Sequence, residues 1–104
     1  MDQAKQKRLE EKGWKVSSTQ DFLGLSNSEM AYIDMRIRLG RELREERKRQ
    51  GFTQQSLADQ LGSSQSRVAK IEAGDSSVSL DLTIRSLLAL GFSSQAIGRT
   101  IAGN

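Results

Sequence analysis

Between Thr53 and Gly74 the apolar positions fall in two short bursts, each with helical spacing. Leu57, Ala58 and Leu61 recur at i, i+1 and i+4, a narrow stripe down one side of a helix. Thr53 stands ahead of them, where a hydroxyl can accept one of the orphan N–H groups of a first turn. Gly62 follows, at the point where a helix leaves through positive φ. Ser64 can cap a second helix whose apolar side is Val68 and Ile71, and Gly74 ends it. The pattern predicts two short helices joined by a tight turn.

The rest of the pattern is also helical. Ser26 and Glu29 are spaced as a capping box, and helical periodicity then runs from about Ser28 to Gln50, with Gly51 as its stop. Its apolar residues make two stripes. Tyr32, Met35, Leu39 and Leu43 share one side and are expected to pack on the two short helices. Met30, Ile33 and Ile37 share nearly the opposite side and need another cover. Gly40, in mid-helix, disfavours the helix by about 1 kcal/mol relative to Ala, so it marks either close packing or a weak point. Beyond Gly74, Asp75-Ser76-Ser77 is a polar loop. Ser79 can cap a fourth helix bearing Leu80, Ile84, Leu87, Leu88 and Leu90, whose leucines are expected in the core; Gly91 ends it. Ser93-Ser94 can cap a fifth, with Ala96, Ile97 and Ile101, closed by Gly103. Residues 1–25 are read as a partly flexible N-terminal extension and 26–104 as one all-α domain. Trp14, Val16, Phe22, Leu23 and Leu25 are the large apolar residues of the extension. Two uses are open to them: they fold over Met30, Ile33 and Ile37, or the two groups together meet a partner.

The chemistry lies on the second short helix. At about 100° per residue, Val68, Ile71 and Glu72 share one side. Ser66, Ala69, Lys70 and Ala73 share the other, with Arg67 on a flank and Gln65 in the first turn. The outward face therefore has small residues, hydroxyl and amide groups and cations, but no carboxylate. A helix entering a major groove needs such a face: slim enough to approach the bases, with donors for base edges and phosphates. On a lone helix this would be an ordinary solvated surface. The preceding helix and the glycine turn make the pair a helix-turn-helix, and the face its reading surface.

The segment LREERKRQGFTQQSLADQLGSSQSRVAKIEAG resembles the Xre family of DNA-binding domains, the lambda-repressor and Cro type. The shared positions are Leu43, Arg47, Gly51, Thr53-Gln54, Leu57-Ala58, Leu61-Gly62, Ser64, Val68, Ile71-Glu72 and Gly74. The family often carries a proline before its fourth helix; this chain has Val78-Ser79 there. The resemblance implies a lambda-repressor-like five-helix domain that binds a double-stranded operator, an inverted repeat, as a homodimer and represses transcription. Carried over by position, Gln65, Ser66 and Lys70 read base edges and Arg67 lies at the groove wall. Gln54 and Ser64, at helix N-termini, hold phosphates. Arg47 and Glu72 match a structural ion pair that keeps two helices in register, and the fifth helix matches a dimer contact. The stretch KGWKVSSTQDFLGLS, followed by EMAYIDMRIRLGRELRE, is similar to the leader of small HigA-like antitoxins, which repress their own operon and neutralise a RelE-like ribonuclease toxin. That likeness implies a type II toxin–antitoxin role, with Trp14, Phe22, Met30, Ile33 and Ile37 as a toxin-binding surface remote from Lys70 and Arg67. A free-standing phage- or plasmid-type repressor is the alternative.

Composition narrows the field further. The 104 residues suit one small domain, and a net charge of +3 is compatible with nucleic acid. Charge placement says more, because most of the arginines lie between Arg36 and Arg49. Cysteine and histidine are both absent, which removes disulfides, thiol nucleophiles, thiolate–imidazole zinc sites and histidine general bases. Glu10-Glu11 and Glu45-Glu46 are neighbours that diverge on a helix, so they read as solvated faces. No enzyme activity, metal or cofactor is expected. Nothing in the first residues resembles a signal peptide and no apolar run approaches the roughly 20 residues of a membrane span, so the expected location is the cytoplasm.

Overall fold

The computed structural model describes Gly24 and residues 26–103. Trp14, Phe22 and the other apolar residues expected of the extension lie outside the described residues. Five helices and no strand occur among the described residues: α1 (Asn27–Arg49), α2 (Gln54–Leu61), α3 (Gln65–Ala73), α4 (Leu80–Ala89) and α5 (Ser94–Ala102). The all-α architecture of five helices is the one expected of a lambda-repressor-like domain. The chain divides between Tyr32 and Ile33 into two units, and the second holds everything that positions the site.

Each helix begins where a hydroxyl can satisfy its first turn. Ser26 Oγ accepts from Glu29 N at 3.0 Å. Thr53 Oγ1 accepts from Ser56 N at 3.0 Å while Thr53 N donates to Ser56 Oγ at 2.8 Å, a reciprocal box. Ser79 accepts from Leu82 N and Ser93 from Ala96 N. The stops are equally local. Gly62 and Gly74 are left-handed, at φ 64° and 72°. At each, the next residue reaches back five positions, Ser63 N to Ala58 O at 2.8 Å and Asp75 N to Lys70 O at 3.0 Å. These bonds satisfy carbonyls that the helix end leaves orphaned, and glycine adopts the required conformation without a Cβ penalty.

The core joins Leu39 and Leu43 of α1, Leu57 and Ala58 of α2, Val68 and Ile71 of α3, Leu87 of α4 and Ile97 of α5. The buried side of α1 is Arg36, Leu39, Gly40, Leu43 and Arg47. This differs from the expected stripe: Leu39 and Leu43 are buried, Met35 is half-buried, and Tyr32 is exposed. The reason is Gly40. A Cβ there would lie 2.3 Å from Ile71 O and 2.9 Å from Glu72 O, so α3 lays its last carbonyls directly against α1. Gly40 therefore marks close packing, and it turns the Arg36–Gly40 side inward.

Arg36 is buried because its guanidinium is used. Its Nη2 donates to Asp75 O at 2.9 Å and to Val78 O, pinning the loop between α3 and α4. Arg38 does the same for α5, donating to Thr100 O at 3.1 Å and Ile101 O at 2.8 Å. On α4 the expectation of a uniformly buried leucine face fails at Leu88, which is half exposed. The buried side is instead Thr83, Ser86 and Leu87. Ser86 is tolerated there because its hydroxyl donates to Leu82 O at 2.7 Å, leaving no polar atom unpaired.

Candidate nucleic-acid interface

The reading helix is held from behind by an ion pair. Arg47 Nε and Nη2 meet the two oxygens of Glu72 at 2.6 and 3.1 Å, and Nη1 donates to Phe52 O at 2.8 Å. The side chains are only 10% and 4% exposed. The planar guanidinium fork matches the carboxylate, and the remaining donor takes a carbonyl, so both buried charges are compensated. These three bonds from one guanidinium tie α1 to the turn before α2 and to the end of α3. The expected Arg47–Glu72 pairing is present.

From Glu72 the bonding runs outward. Gln54 Nε2 donates to Glu72 Oε1 at 3.1 Å, and Gln65 Nε2 donates to Gln54 Oε1 at 2.6 Å. Gln54 and Gln65 are the first residues of α2 and α3, so the two helix starts are tied side by side. Sequence reasoning placed both at a surface but missed the bond between them. The only available signal was that each glutamine follows its N-cap. The consequence is that the Gln65 amide is oriented by a chain of contacts ending at the buried Arg47.

The outward face of α3 is as expected in its exposure. Gln65, Ser66, Arg67 and Lys70 are exposed, Ala69 is half-buried, and Val68 and Ile71 are buried. Ser64 is the N-cap, its Oγ accepting from Arg67 N at 3.2 Å and lying 3.4 Å from Ser66 Oγ. A hydroxyl that accepts from the backbone still has a proton to donate outward. The sole carboxylate on α3, Glu72, is turned inward and neutralised, so the face carries cations and neutral donors alone. Both helix starts add the partial positive charge of unsatisfied N–H groups. Beyond α3, the Asp75 carboxyl is held below the usual carboxylate range, chiefly by the Ser77 backbone N–H, with Lys70 and Arg36 adding attraction. It therefore stays ionised at neutral pH and marks the edge of the cationic surface.

Of the expected partner-surface residues, Met30 is half-buried, and Ile33 and Ile37 are 37% and 39% exposed. Ile37 does not lie apart from the reading helix. A Cβ on Gly74, the cap of α3, would meet Ile37 Cγ1 at 3.0 Å and Ile37 Cα at 3.1 Å. Ile37 lies beside the C-cap of α3 because the glycine there lets that end of the helix approach α1. Among the described residues, no acidic cluster could hold a metal ion and no helix is long and apolar enough to cross a membrane.

Compared with known families, residues 43–97 match the model of the family Helix-turn-helix (HTH_3), from within α1 to within α5. Neither the comparison with curated proteins nor that with solved structures finds a match.

Proposed function

The chain belongs to the helix-turn-helix family HTH_3, a family of DNA-binding regulators of transcription, and from that premise we propose that it is a sequence-specific repressor acting by occupancy. Two copies place their α3 helices in successive major grooves of an inverted repeat, with half-sites about one helical turn, ~34 Å, apart. The observation that carries this reading is the carboxylate-free outward face of α3, with Gln65 oriented by Gln54. A glutamine amide offers a donor and an acceptor together, the pairing that adenine presents in the major groove. Ser66 and Lys70 lie on the same face for neighbouring base edges, and Arg67 for the groove wall. Ser64 and the first turns of α2 and α3 suit backbone phosphates. Gln54 serves in part as the support of Gln65. Footprinting on the chain's own promoter tests this: a symmetric protected site is expected, and a lone half-site bound by monomer would overturn it.

The biological role proposed is that of an antitoxin in a type II pair, repressing its own operon and neutralising a RelE-like toxin. Its support is the resemblance of the leader, together with Ile33 and Ile37, apolar side chains that α1 leaves more than a third exposed. Co-purification with the product of a neighbouring gene tests the role. Operator binding with no protein partner favours the free-standing repressor.

A further inference from the structure

We propose that Arg44 of α1 is a DNA-backbone contact at the edge of the reading face, an inference that rests on the DNA-binding reading above. A cleft of about 210 Å³ opens beside α3, lined by Arg44, Arg47, Gln54, Ala69, Glu72 and Ala73. Its floor is the Arg47–Glu72 pair, whose charges cancel, so the charge the cleft presents is that of Arg44. Its α3 wall is Ala69 and Ala73, four residues apart and bearing only methyl groups, which lets a bulky chain come close. Gln54, at its edge, is the residue bonded to Gln65. The cleft therefore continues the reading face onto α1.

Among the described residues Arg44 shares its lack of an ion pair with Arg41, but of the two only Arg44 lines the cleft beside α3. Arg38 pairs with Asp34, Arg47 with Glu72, Arg49 with Glu46 and Arg85 with Asp81. Arg44 is exposed and has no ion pair among the described residues. Its helical neighbours three and four positions away are Gly40, Arg41, Arg47 and Lys48, none of them acidic. Like charges at such spacing destabilise a helix, and an external anion relieves the repulsion. The phosphates of a duplex seated on α3 supply that anion in a continuous line, and a guanidinium takes phosphate oxygens bidentately.

The test measures the full chain on two labelled duplexes, one from its own promoter and one of mixed sequence, across a salt series. Each neutralised phosphate contributes about 0.9 to the slope of log Kd against log salt on duplex DNA. Arg44→Gln should lower that slope by about 0.9 and weaken both duplexes by the same factor, with the melting temperature unchanged. Arg44→Lys should keep the slope, and Arg85→Gln, on α4, should leave it untouched. An unchanged slope in Arg44→Gln, or a loss confined to the promoter duplex, overturns the proposal. If Arg44→Gln fails to fold, Arg44→Ala decides by the same reading: a slope lower by about 0.9 on both duplexes supports the contact and an unchanged slope overturns it. A wild-type chain that binds neither duplex overturns the DNA-binding reading itself.

Discussion

Gly40→Ala sets two effects of opposite sign against each other. In a helix interior alanine is favoured over glycine by about 0.5–1 kcal/mol, so propensity alone makes the substitution stabilising. The structure reverses the sign. The added Cβ would sit 2.3 Å from Ile71 O, more than 1 Å short of the roughly 3.5 Å at which nonbonded heavy atoms rest. Both close neighbours are backbone carbonyls of α3, so no side chain can rotate away, and α1 and α3 must separate. Overpacking of this kind costs about 1–3 kcal/mol, which leaves a net loss on the order of 1–2 kcal/mol once propensity is subtracted. For a domain of this size each kcal/mol moves the melting temperature by about 4–8 °C, so a fall on the order of 4–16 °C is expected. Gly98→Ala is the matched control: Gly98 lies inside α5 with nothing within 4 Å of an added Cβ. It should gain the propensity alone and melt about 2–8 °C higher. Thermal melts followed by far-UV circular dichroism check both. If the two variants both rise, the contact between α1 and α3 is not what buries Gly40. Because the separation also draws Glu72 from Arg47, operator affinity should fall in Gly40→Ala.

Arg47→Ala should lose about 3–5 kcal/mol of stability in urea titrations, since it leaves the Glu72 carboxylate buried without its partner; replacing both with apolar residues should return most of the loss. Gln65→Ala and Lys70→Ala should each weaken operator binding by about 1–3 kcal/mol, roughly 5- to 150-fold in Kd, with melting temperatures unchanged, because both side chains project from the exposed face. If Lys70→Ala unfolds the domain while Arg47→Ala alters only DNA affinity, the faces of α3 have been assigned the wrong way round. Ile33→Asp should abolish co-purification with a toxin and leave operator binding intact, whereas Ile37→Asp should impair both, since Ile37 lies against the cap of α3; equal operator affinity in the two variants would refute the difference.

What the sequence determined by itself was every feature settled within a few residues. Thr53, Ser64, Ser79 and Ser93 cap their helices, and Gly62, Gly74 and Gly103 close theirs, because caps and stops depend on the backbone next to them. Val68 and Ile71 inward, with Lys70 and Arg67 outward, followed from a period of 3.6 on so short a helix. The pairing of Arg47 with Glu72 came from family resemblance, not from spacing. Tertiary structure alone decided the rest. Periodicity gave α1 two apolar stripes, and the close approach at Gly40 selected the side that faces α3, with Tyr32 exposed. Leu88 stands about 100° around α4 from Leu87, near enough that the pattern could not separate them, and packing buried only one. Arg36 is buried because carbonyls of the distant loop, those of Asp75 and Val78, accept its guanidinium. Gln54 and Gln65 are eleven residues apart, and only the angle between α2 and α3 brings their amides together. A side chain's own residue type and spacing limit what it can bond; which partner it meets depends on where a distant helix lies.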